Sequence, residues 1–370
     1  MKRWSTAAAI LVLTAAAASG LKAEEGFVVR GMPTISSNPT AGTGVGAQGV
    51  GIYKVDGGSS PSQVILSGQY TDTDSYNIFA INKMFFDADR WQSNTLGGVI
   101  YNNTKFTVDL LVPLPTEPIY VEGDVNYDVT IYVLGEQLLY RVWKNVYAGG
   151  QLFYVSQDFN PKNEAGRAFL LLNGIEDSGR SGYGLTLSYD TRTKSEKFFA
   201  RDSTWINVAL NDFPTQWGAE EHFWNALINA RKYIPGFKQA DVFAMQLYGQ
   251  YSSDNTPDGA LSALGARNIL RGFPIGKYKA RHEIAAQAEY RFLVPKTRFR
   301  LTAFGGWANL SGGSKGTALG NRDSNNGDYY SGGVGVHYIL AKEQNLDYRV
   351  DIAATSDDEV SVYASINQAF

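Results

Sequence analysis

The feature that most constrains the fold is an alternation of apolar and polar residues, in runs of about ten, along most of the chain. In Glu283–Phe292, which reads EIAAQAEYRF, Ile284, Tyr290 and Phe292 share one face, and the opposite face is mostly charged or amide. A period of two places successive side chains on opposite faces of an extended strand. The chain is therefore predicted to be all-β. Similar runs occupy Asp241–Tyr251, Arg298–Trp307 and Val360–Phe370.

A soluble β-sandwich and a transmembrane β-barrel share this alternation, because a core and a lipid bilayer both accept an apolar face. Three features favour the barrel. The strands are as long as a tilted membrane crossing, which needs about 9–11 residues. Many of the 22 tyrosines and 7 tryptophans lie near strand ends, where interfacial girdles occur. The last strand, Val360–Phe370, runs directly into an aromatic residue. We therefore predict a transmembrane antiparallel β-barrel.

The number of strands follows from counting the alternating runs. Sixteen candidates can be placed, and an even number is the rule for bacterial single-chain barrels. The first candidate and the region 104–126 are the least regular, so counts of twelve or fourteen stay open. The candidates lie near residues 27–36, 44–54, 62–71, 75–86, 94–103, 127–141, 145–157, 181–191, 200–210, 221–233, 241–251, 282–292, 298–308, 329–340, 346–354 and 360–370.

Residues 1–23 read as a secretory signal peptide rather than as part of the fold. Lys2 and Arg3 precede an apolar run, Ala7–Ala18, and Leu21-Lys22-Ala23 forms an imperfect cleavage site. Residues 24–370 are then expected to form one barrel domain in the outer membrane of a bacterial cell. The chain has no cysteine, which excludes disulfides and thiolate metal sites. A net charge of −3 gives no electrostatic case for nucleic acid.

Several segments together carry a resemblance to a known family. Leu270-Arg271-Gly272-Phe273 looks like an Arg-Gly-Phe/Tyr loop motif and is followed by five predicted strands. Gln287–Arg291 looks like the strand after that loop, and Leu187–Arg192, with Phe198, Phe199 and Arg201 behind it, looks like another recurrent segment. In these features the chain resembles the BamA/TamA-type (surface antigen) superfamily of outer-membrane barrels. The match covers most of residues 180–370 and suggests a short form without periplasmic POTRA domains.

The resemblance implies that the long loop around Arg271 folds into the lumen. There Arg271 would reach a carboxylate on the inner wall, and alternation places Glu289 on that face. A guanidinium in a narrow, partly dry lumen is best partnered by a carboxylate. Gly272 would allow a tight turn, and Phe273 would wedge against the wall. These residues are thus expected to tether the loop. The alternative is an ordinary exposed turn.

The sequence departs from the family pattern at Gly306. Family members usually carry an aspartate there, whereas this chain reads Phe304-Gly305-Gly306-Trp307. The tether would then rely on Glu289 alone, or the loop would be looser. A second group of charges, Arg291, Arg298 and Arg300, is expected to face the lumen with Glu283 and Glu289. Such a group would act as a structural network or as a selective pore lining.

The resemblance also implies a weak seam where the first and last strands meet, with Gln368 and the small Ala364 and Ala369 weakening it. The competing interpretation is a tight terminal strand that carries an assembly signal ending in Phe370. Gly44–Gly49 matches a dinucleotide-binding pattern but lacks the required βαβ context. The three histidines, His222, His282 and His337, lack metal-ligand spacing. His282 and His337 are instead expected to face the lumen or the rim.

The resemblance favours a non-enzymatic barrel that inserts or translocates protein or lipid at the outer membrane. Its expected partners are outer-membrane lipids, the barrel-assembly machinery that inserts it, and an unidentified client. No nucleic acid, cofactor or metal is expected. The main alternative is a passive channel or porin with a loop-constricted lumen. A structural scaffold is a third hypothesis, and an outer-membrane enzyme is the least supported.

Overall fold

The computed structural model describes residues 27–38, 42–112, 119–172, 175–238, 240–265, 269–273, 277–313, 325–342, 346–366 and 368–370. The predicted signal peptide lies outside the described residues. So do Asn268 and residues 274–276 of the long loop.

Sixteen strands form the wall, and two short strands pair within the long loop. The wall strands are β1 Val28–Asn38, β2 Gly42–Tyr53, β3 Ser62–Thr71, β4 Tyr76–Phe86, β5 Trp91–Val112, β6 Ile119–Trp143, β7 Val146–Pro161, β8 Ser178–Asp190, β9 Ser203–Phe213, β10 Phe223–Pro235, β11 Val242–Ser252, β14 His282–Leu293, β15 Phe299–Ser311, β16 Gly327–Ala341, β17 Leu346–Thr355 and β18 Val360–Ile366. The loop strands are β12 Ser262–Ala263 and β13 Lys279–Ala280, and the helix α1 is Glu164–Leu172. Short 3-10 turns occur at Lys194–Glu196, Thr215–Trp217 and Asp258–Ala260.

The wall is a closed barrel of antiparallel neighbours. Each strand pairs with the next along the chain, except that β11 pairs with β14 across the long loop and β1 pairs with β18 at the closure. The predicted fold class and the count of sixteen strands are confirmed. The irregular region 104–126 belongs to β5 and β6, which pair with each other beyond the ends of β4 and β7. In the part of the chain that the structure describes, no helix is both long and apolar enough to cross a membrane.

The two ends of the barrel differ in their connections. The short-turn end carries residues 54–61, 87–90, 144–145, 191–202, 236–241, 294–298 and 342–345. The long-loop end is where the connections from β7 to β8, β9 to β10, β11 to β14 and β15 to β16 begin and end. Because β11 and β14 lie next to each other in the wall, the connection between them leaves and re-enters the wall at one point of the rim.

Alternation sorts the wall into an outer and a lumen face, as the sequence predicts. On β8, Leu185 and Leu187 point outward and are 72% and 54% exposed, while Thr186 and Ser188 between them are buried in the lumen. Outward aromatic pairs lie towards the two ends, such as Trp91 with Tyr140, while Tyr76 stacks on Tyr101 at 5.1 Å. An apolar outer band between aromatic girdles is the surface that a bilayer requires.

Two local predictions are wrong. Arg298 does not face the lumen, because it lies exposed in the turn before β15 begins at Phe299. The last strand ends at Ile366 rather than at Phe370. Residues 368–370 leave the wall, and Phe370 packs inside the barrel at the short-turn end instead of continuing the outer apolar face.

Candidate functional site: the filled lumen and the seam

The described residues of the loop between β11 and β14 enter the lumen and are held there by an apolar cluster. Leu264, Ile269, Leu270 and Phe273 are almost completely buried, and they pack on wall residues of β11, β14, β15 and β16. Burying one such side chain stabilises by roughly 1.5–3 kcal/mol. The Phe273 ring makes edge contacts with Tyr278 and Tyr329 at centroid distances of 5.7 and 5.6 Å. Phe273 therefore packs against the wall as expected, and the wall residue that it contacts is the aromatic Tyr329.

The Arg271 guanidinium binds two carboxylates. Its Nη2 lies 2.5 Å from Glu289 Oε2 on β14, and its Nη1 lies 2.8 Å from Asp351 Oδ2 on β17. The guanidinium carbon also lies 3.5 Å from the centroid of the Phe304 ring. The Arg271, Glu289 and Asp351 side chains are withdrawn from solvent, where charge-assisted hydrogen bonds are strongest and an unpaired charge is most costly.

Gly272 binds the loop to the last strand. Its φ of +116° is in the region that favours glycine, and an added Cβ would lie 2.6 Å from Thr355 Cγ2. The Gly272 N–H donates to Tyr363 Oη at 3.1 Å, and the Ser361 hydroxyl donates to the Gly272 carbonyl at 2.9 Å. Both partners are on β18. Outside the strands, Lys277 donates to Glu359, and this hydrogen bond raises the pKa of Lys277 to about 12.

Asp351 is the site residue that the sequence reasoning missed. The tether does not rely on Glu289 alone, because the acid absent at Gly306 is supplied from β17 instead. Asp351 also accepts from Arg349 Nη1 at 2.5 Å and lies 3.2 Å from His337 Nε2. A signal was present in the sequence, since Asp347, Arg349 and Asp351 occupy alternate positions of one strand. That pattern puts three charges on one face, and only the lumen could accept them.

Glu289 links the loop to the last residues of the chain. While Oε2 binds Arg271, Oε1 accepts from Arg291 Nε at 2.7 Å. Arg291 in turn donates from Nη2 to a main-chain oxygen of Phe370 at 2.8 Å, and its guanidinium lies 5.5 Å from the Phe370 ring centroid. Phe370 packs with Phe199, Tyr233 and Val242, among others. Its role as an assembly signal stays a prediction.

Arg300 and His337 complete the lumen network. Arg300 pairs with Asp347, and its guanidinium lies 3.9 Å from the Phe199 ring centroid. His337 is buried between Asp347 and Asp351. His282 lies at the rim, stacked on Tyr251, and His222 pairs with Asp212 on the outside. Among the described residues no three acidic or histidine side chains come together as a metal site.

The seam between β1 and β18 is short. In the described residues two register pairs join these strands, Ser36 with Tyr363 and Ser37 with Val362, whereas seven join β17 to β18 and eleven join β1 to β2. Nearer the short-turn end the strands part. There the Ile366 N–H donates at 2.8 Å to Gln48 Oε1, a side chain of β2, instead of to β1. A cavity of about 210 Å³ opens at this point.

Comparison with known proteins shows which barrels this fold is similar to. No protein-family model matches the sequence, and no curated protein matches it. Solved structures do match: CdiB from Escherichia coli has a TM-score of 0.63 at 11% identity, covering 93% of this chain and 64% of that one. CdiB from Acinetobacter baumannii has a TM-score of 0.60 at 10% identity, covering 92% and 59%. BamA from Haemophilus ducreyi lacking POTRA domains 1–3 has a TM-score of 0.51 at 12% identity, covering 93% and 71%.

These likenesses concern the fold, since the identities are low. The chain spans less than two thirds of the length of either CdiB. They nevertheless cover 92–93% of this chain. The resemblance inferred from the Arg271 motif is confirmed at the level of fold: the chain folds as a β-barrel similar to those of CdiB and BamA.

Proposed function

We propose that the chain is a non-enzymatic barrel of the bacterial outer membrane that inserts or translocates protein or lipid. The fold that it shares with CdiB and BamA supports this proposal. The apolar outer face supports residence in a bilayer, and the barrel-assembly machinery would insert it there. The lumen is occupied by a loop that is fixed to the wall at several points, which argues against free conduction as the primary task.

The observation that carries the proposal is the short seam. Only two register pairs join β1 and β18 in the described residues, fewer than join any other neighbouring strands of the barrel wall, so parting these strands breaks the fewest backbone hydrogen bonds of the wall. A free strand edge offers unpaired N–H and C=O groups to which another chain can add as a strand. We infer that β18 is the edge that receives the client, and that the seam opens sideways into the membrane.

The long loop would take part in this opening. Gly272 is hydrogen-bonded to Tyr363 and Ser361, which are residues of β18 itself. Because Arg271 anchors the same turn to β14 and β17, the loop holds β18 in place from inside the barrel. A movement of β18 therefore requires these contacts to break or the loop to move with it.

The test is to lock the seam. The chain has no cysteine, so a pair introduced at Ser37 and Val362 is unique and bridges β1 to β18 at a register pair. The matched control pairs Ile352 with Val362, which bridges β17 to β18 and uses the same position on β18. Both pairs are tested for rescue of a deletion strain, scored by its outer-membrane protein profile and by its lipid permeability barrier.

We expect the oxidised Ser37–Val362 variant to fail and to regain function when reductant is added. The control should rescue under both conditions, because β17 and β18 do not need to part. Full rescue by the locked seam would overturn the lateral-opening proposal. If deletion of the gene changes neither readout, a role in insertion or translocation is wrong.

A passive channel is the second candidate, favoured by one observation. Lys83 lies on the lumen face of β4 and is nevertheless exposed, so part of the lumen is open to water. Single-channel recordings in planar bilayers separate the two functions. A small, flickering conductance in the wild type that increases in Arg271→Ala would support a loop that plugs the barrel. A large, steady conductance that this variant leaves unchanged would favour the channel.

A further inference from the structure

The segment 191–202, between β8 and β9, crosses the short-turn end of the barrel. Lys194 Nζ donates to the Gly58 carbonyl in the turn between β2 and β3. Lys197 Nζ lies 5.2 Å from the Phe85 ring centroid on β4. At its other end the segment places Phe199 against Arg300 of β15. The segment thus covers this end of the lumen and forms its base.

Three cationic side chains lie together at this end of the lumen. Arg231 of β10 and Arg192 of the segment lie on the same Trp205 ring, with guanidinium carbons 4.8 and 5.6 Å from its centroid. Lys83, which reaches in from β4 on another part of the wall, is within electrostatic range of both. The alternation of β4, β9 and β10 directs Lys83, Trp205 and Arg231 into the lumen. The arrangement is therefore a cluster within the barrel and not a surface patch.

Within the described residues, carboxylates neutralise the positive charge of this cluster only in part. The Asp190 carboxylate forms ion pairs with Arg192 at 2.9 Å and with Lys197 at 2.8 Å, so it is shared between two cations. Glu196 interacts with Arg192 only at longer range. In the described ranges neither Lys83 nor Arg231 forms an ion pair. The Arg231 Nε is also buried without an acceptor. A buried guanidinium N–H without a partner is costly, and a bound anion would remove that cost.

We propose that Lys83, Arg192 and Arg231 form a lumen site for a small polyvalent phosphate. This goes beyond the proposed function, because neither strand insertion nor passive conduction requires a ligand in the lumen. Phosphate suits the cluster, since guanidinium groups bind it through paired N–H donors and lysine adds a point charge. The ligand would come free from water, because Lys83 and Arg231 lie on the lumen face and Arg192 contacts the lumen-facing Trp205, where a lipid headgroup does not reach.

The test is a calorimetric titration of the refolded barrel, in micelles of a neutral detergent, with inorganic pyrophosphate at low salt. Trp205 fluorescence, taken as the difference from Trp205→Phe, gives a second readout under the two arginines. Arg231→Gln and Lys83→Gln are compared with Lys232→Gln. The control removes the same charge from the next residue of β10, which lies on the outer face and donates to Thr204 Oγ1.

We expect saturable binding of pyrophosphate that weakens about tenfold or more in Arg231→Gln and in Lys83→Gln but is unchanged in Lys232→Gln. Addition of an anionic phospholipid to the micelles should not displace pyrophosphate. Displacement by the lipid would overturn the free ligand as the source. Equal affinity in all three variants, or heat that never saturates, would overturn the site. Heat-modifiable gel mobility confirms that each variant is folded, so a loss of binding is not a loss of structure.

Discussion

Arg271 Nη2 lies 2.5 Å from Glu289 Oε2, and this buried pair joins the loop between β11 and β14 to the wall of the barrel. The same guanidinium binds Asp351 through its other terminal nitrogen. Replacing arginine by lysine keeps the charge but leaves one point donor group in place of a planar fork. The Arg271→Lys substitution therefore separates the effect of the charge at this position from the effect of its hydrogen-bond geometry.

Arg271→Lys should release the loop. Lysine cannot span Glu289 and Asp351 together, and an uncompensated buried carboxylate costs about 3–5 kcal/mol. We expect faster trypsin cleavage after Lys277 and Lys279 in the refolded protein. Arg281→Lys is the matched control, because its partner Asp254 is 91% exposed and a surface pair contributes little. Equal cleavage rates in the two variants would mean that the apolar cluster alone holds the loop.

Asp351→Asn should destabilise the barrel more than Glu289→Gln. Both changes turn a buried carboxylate into an amide. Asp351 is hydrogen-bonded to three side chains, those of Arg271, Arg349 and His337. Glu289 is hydrogen-bonded to two, those of Arg271 and Arg291. Thermal unfolding, followed by heat-modifiable gel mobility, measures the difference. Asp254→Asn, at the exposed partner of Arg281, should leave the midpoint unchanged. A larger loss in Glu289→Gln would contradict this order.

The sequence predicts the part of this site that depends on local pattern. Alternation is enough to place Glu289 on the lumen face, and the loop motif is enough to single out Arg271. The contact between Arg271 and Asp351 spans eighty residues of sequence, and β17 is three strands away from β14 in the wall. Which carboxylate pairs with Arg271 depends on the curvature of the barrel and on the register of its strands, and neither can be derived from the sequence of one chain.

The errors at the ends of strands have a related physical cause. Arg298 and Phe370 both continue an alternating pattern, so the pattern assigns them to a strand. Strand β15 begins only after Arg298, which lies in the turn, and strand β18 ends before Phe370, which follows apolar contacts inside the barrel. Phe370 gains an aromatic pocket and the Arg291 guanidinium inside the barrel. A hydrophobic side chain at a strand end can pack either on the outer apolar face or inside the barrel, and the available packing contacts decide between the two positions.

Gly306→Asp tests whether the missing acid can be restored. An added Cβ at Gly306 would lie 2.7 Å from Gln287 Cβ and 2.9 Å from the Ala286 carbonyl. We expect a loss of roughly 1–3 kcal/mol in unfolding free energy from overpacking, and no protection of the loop from trypsin. Gly306→Ala should show most of the same loss. Gly305→Ala, with its nearest atom at 3.6 Å, is the control. A loop better protected in Gly306→Asp would show that the acid can act from either strand.

Phe370→Ala separates packing from an assembly signal. If the ring acts by packing in the lumen, the purified and refolded variant should lose about 3–5 kcal/mol in unfolding free energy. If it acts only as a signal, refolded stability should be normal and insertion in cells should slow. Phe299→Ala is the control, since this ring also lies at the short-turn end but faces outward and is 46% exposed. Chemical unfolding in vesicles and pulse-labelled insertion in cells give the two readouts.

Glu136 carries a carboxylate on the outer face of the wall. It lies on β6 midway between Tyr132 and Tyr140, and it pairs across the sheet with Leu152, which is 56% exposed. Two cross-strand hydroxyls, Ser93 and Thr95, donate to its oxygens at 2.7 and 2.5 Å. These bonds satisfy the acceptors but leave a negative charge facing the apolar band of the bilayer, where charge is costly.

Glu136→Gln should therefore stabilise the barrel, by less than about 2 kcal/mol because acidic residues are less costly than basic ones on this face. The amide removes the charge and keeps an acceptor for one hydroxyl. Equilibrium unfolding by guanidinium in phospholipid vesicles at neutral pH measures the change. Asp158→Asn, outward on β7 towards the long-loop end, is the control and should have a smaller effect, because cost falls with distance from the midplane. A destabilised Glu136→Gln would mean that the two hydroxyls compensate the carboxylate fully, and that it strengthens the β5–β6 pairing rather than weakening the outer wall.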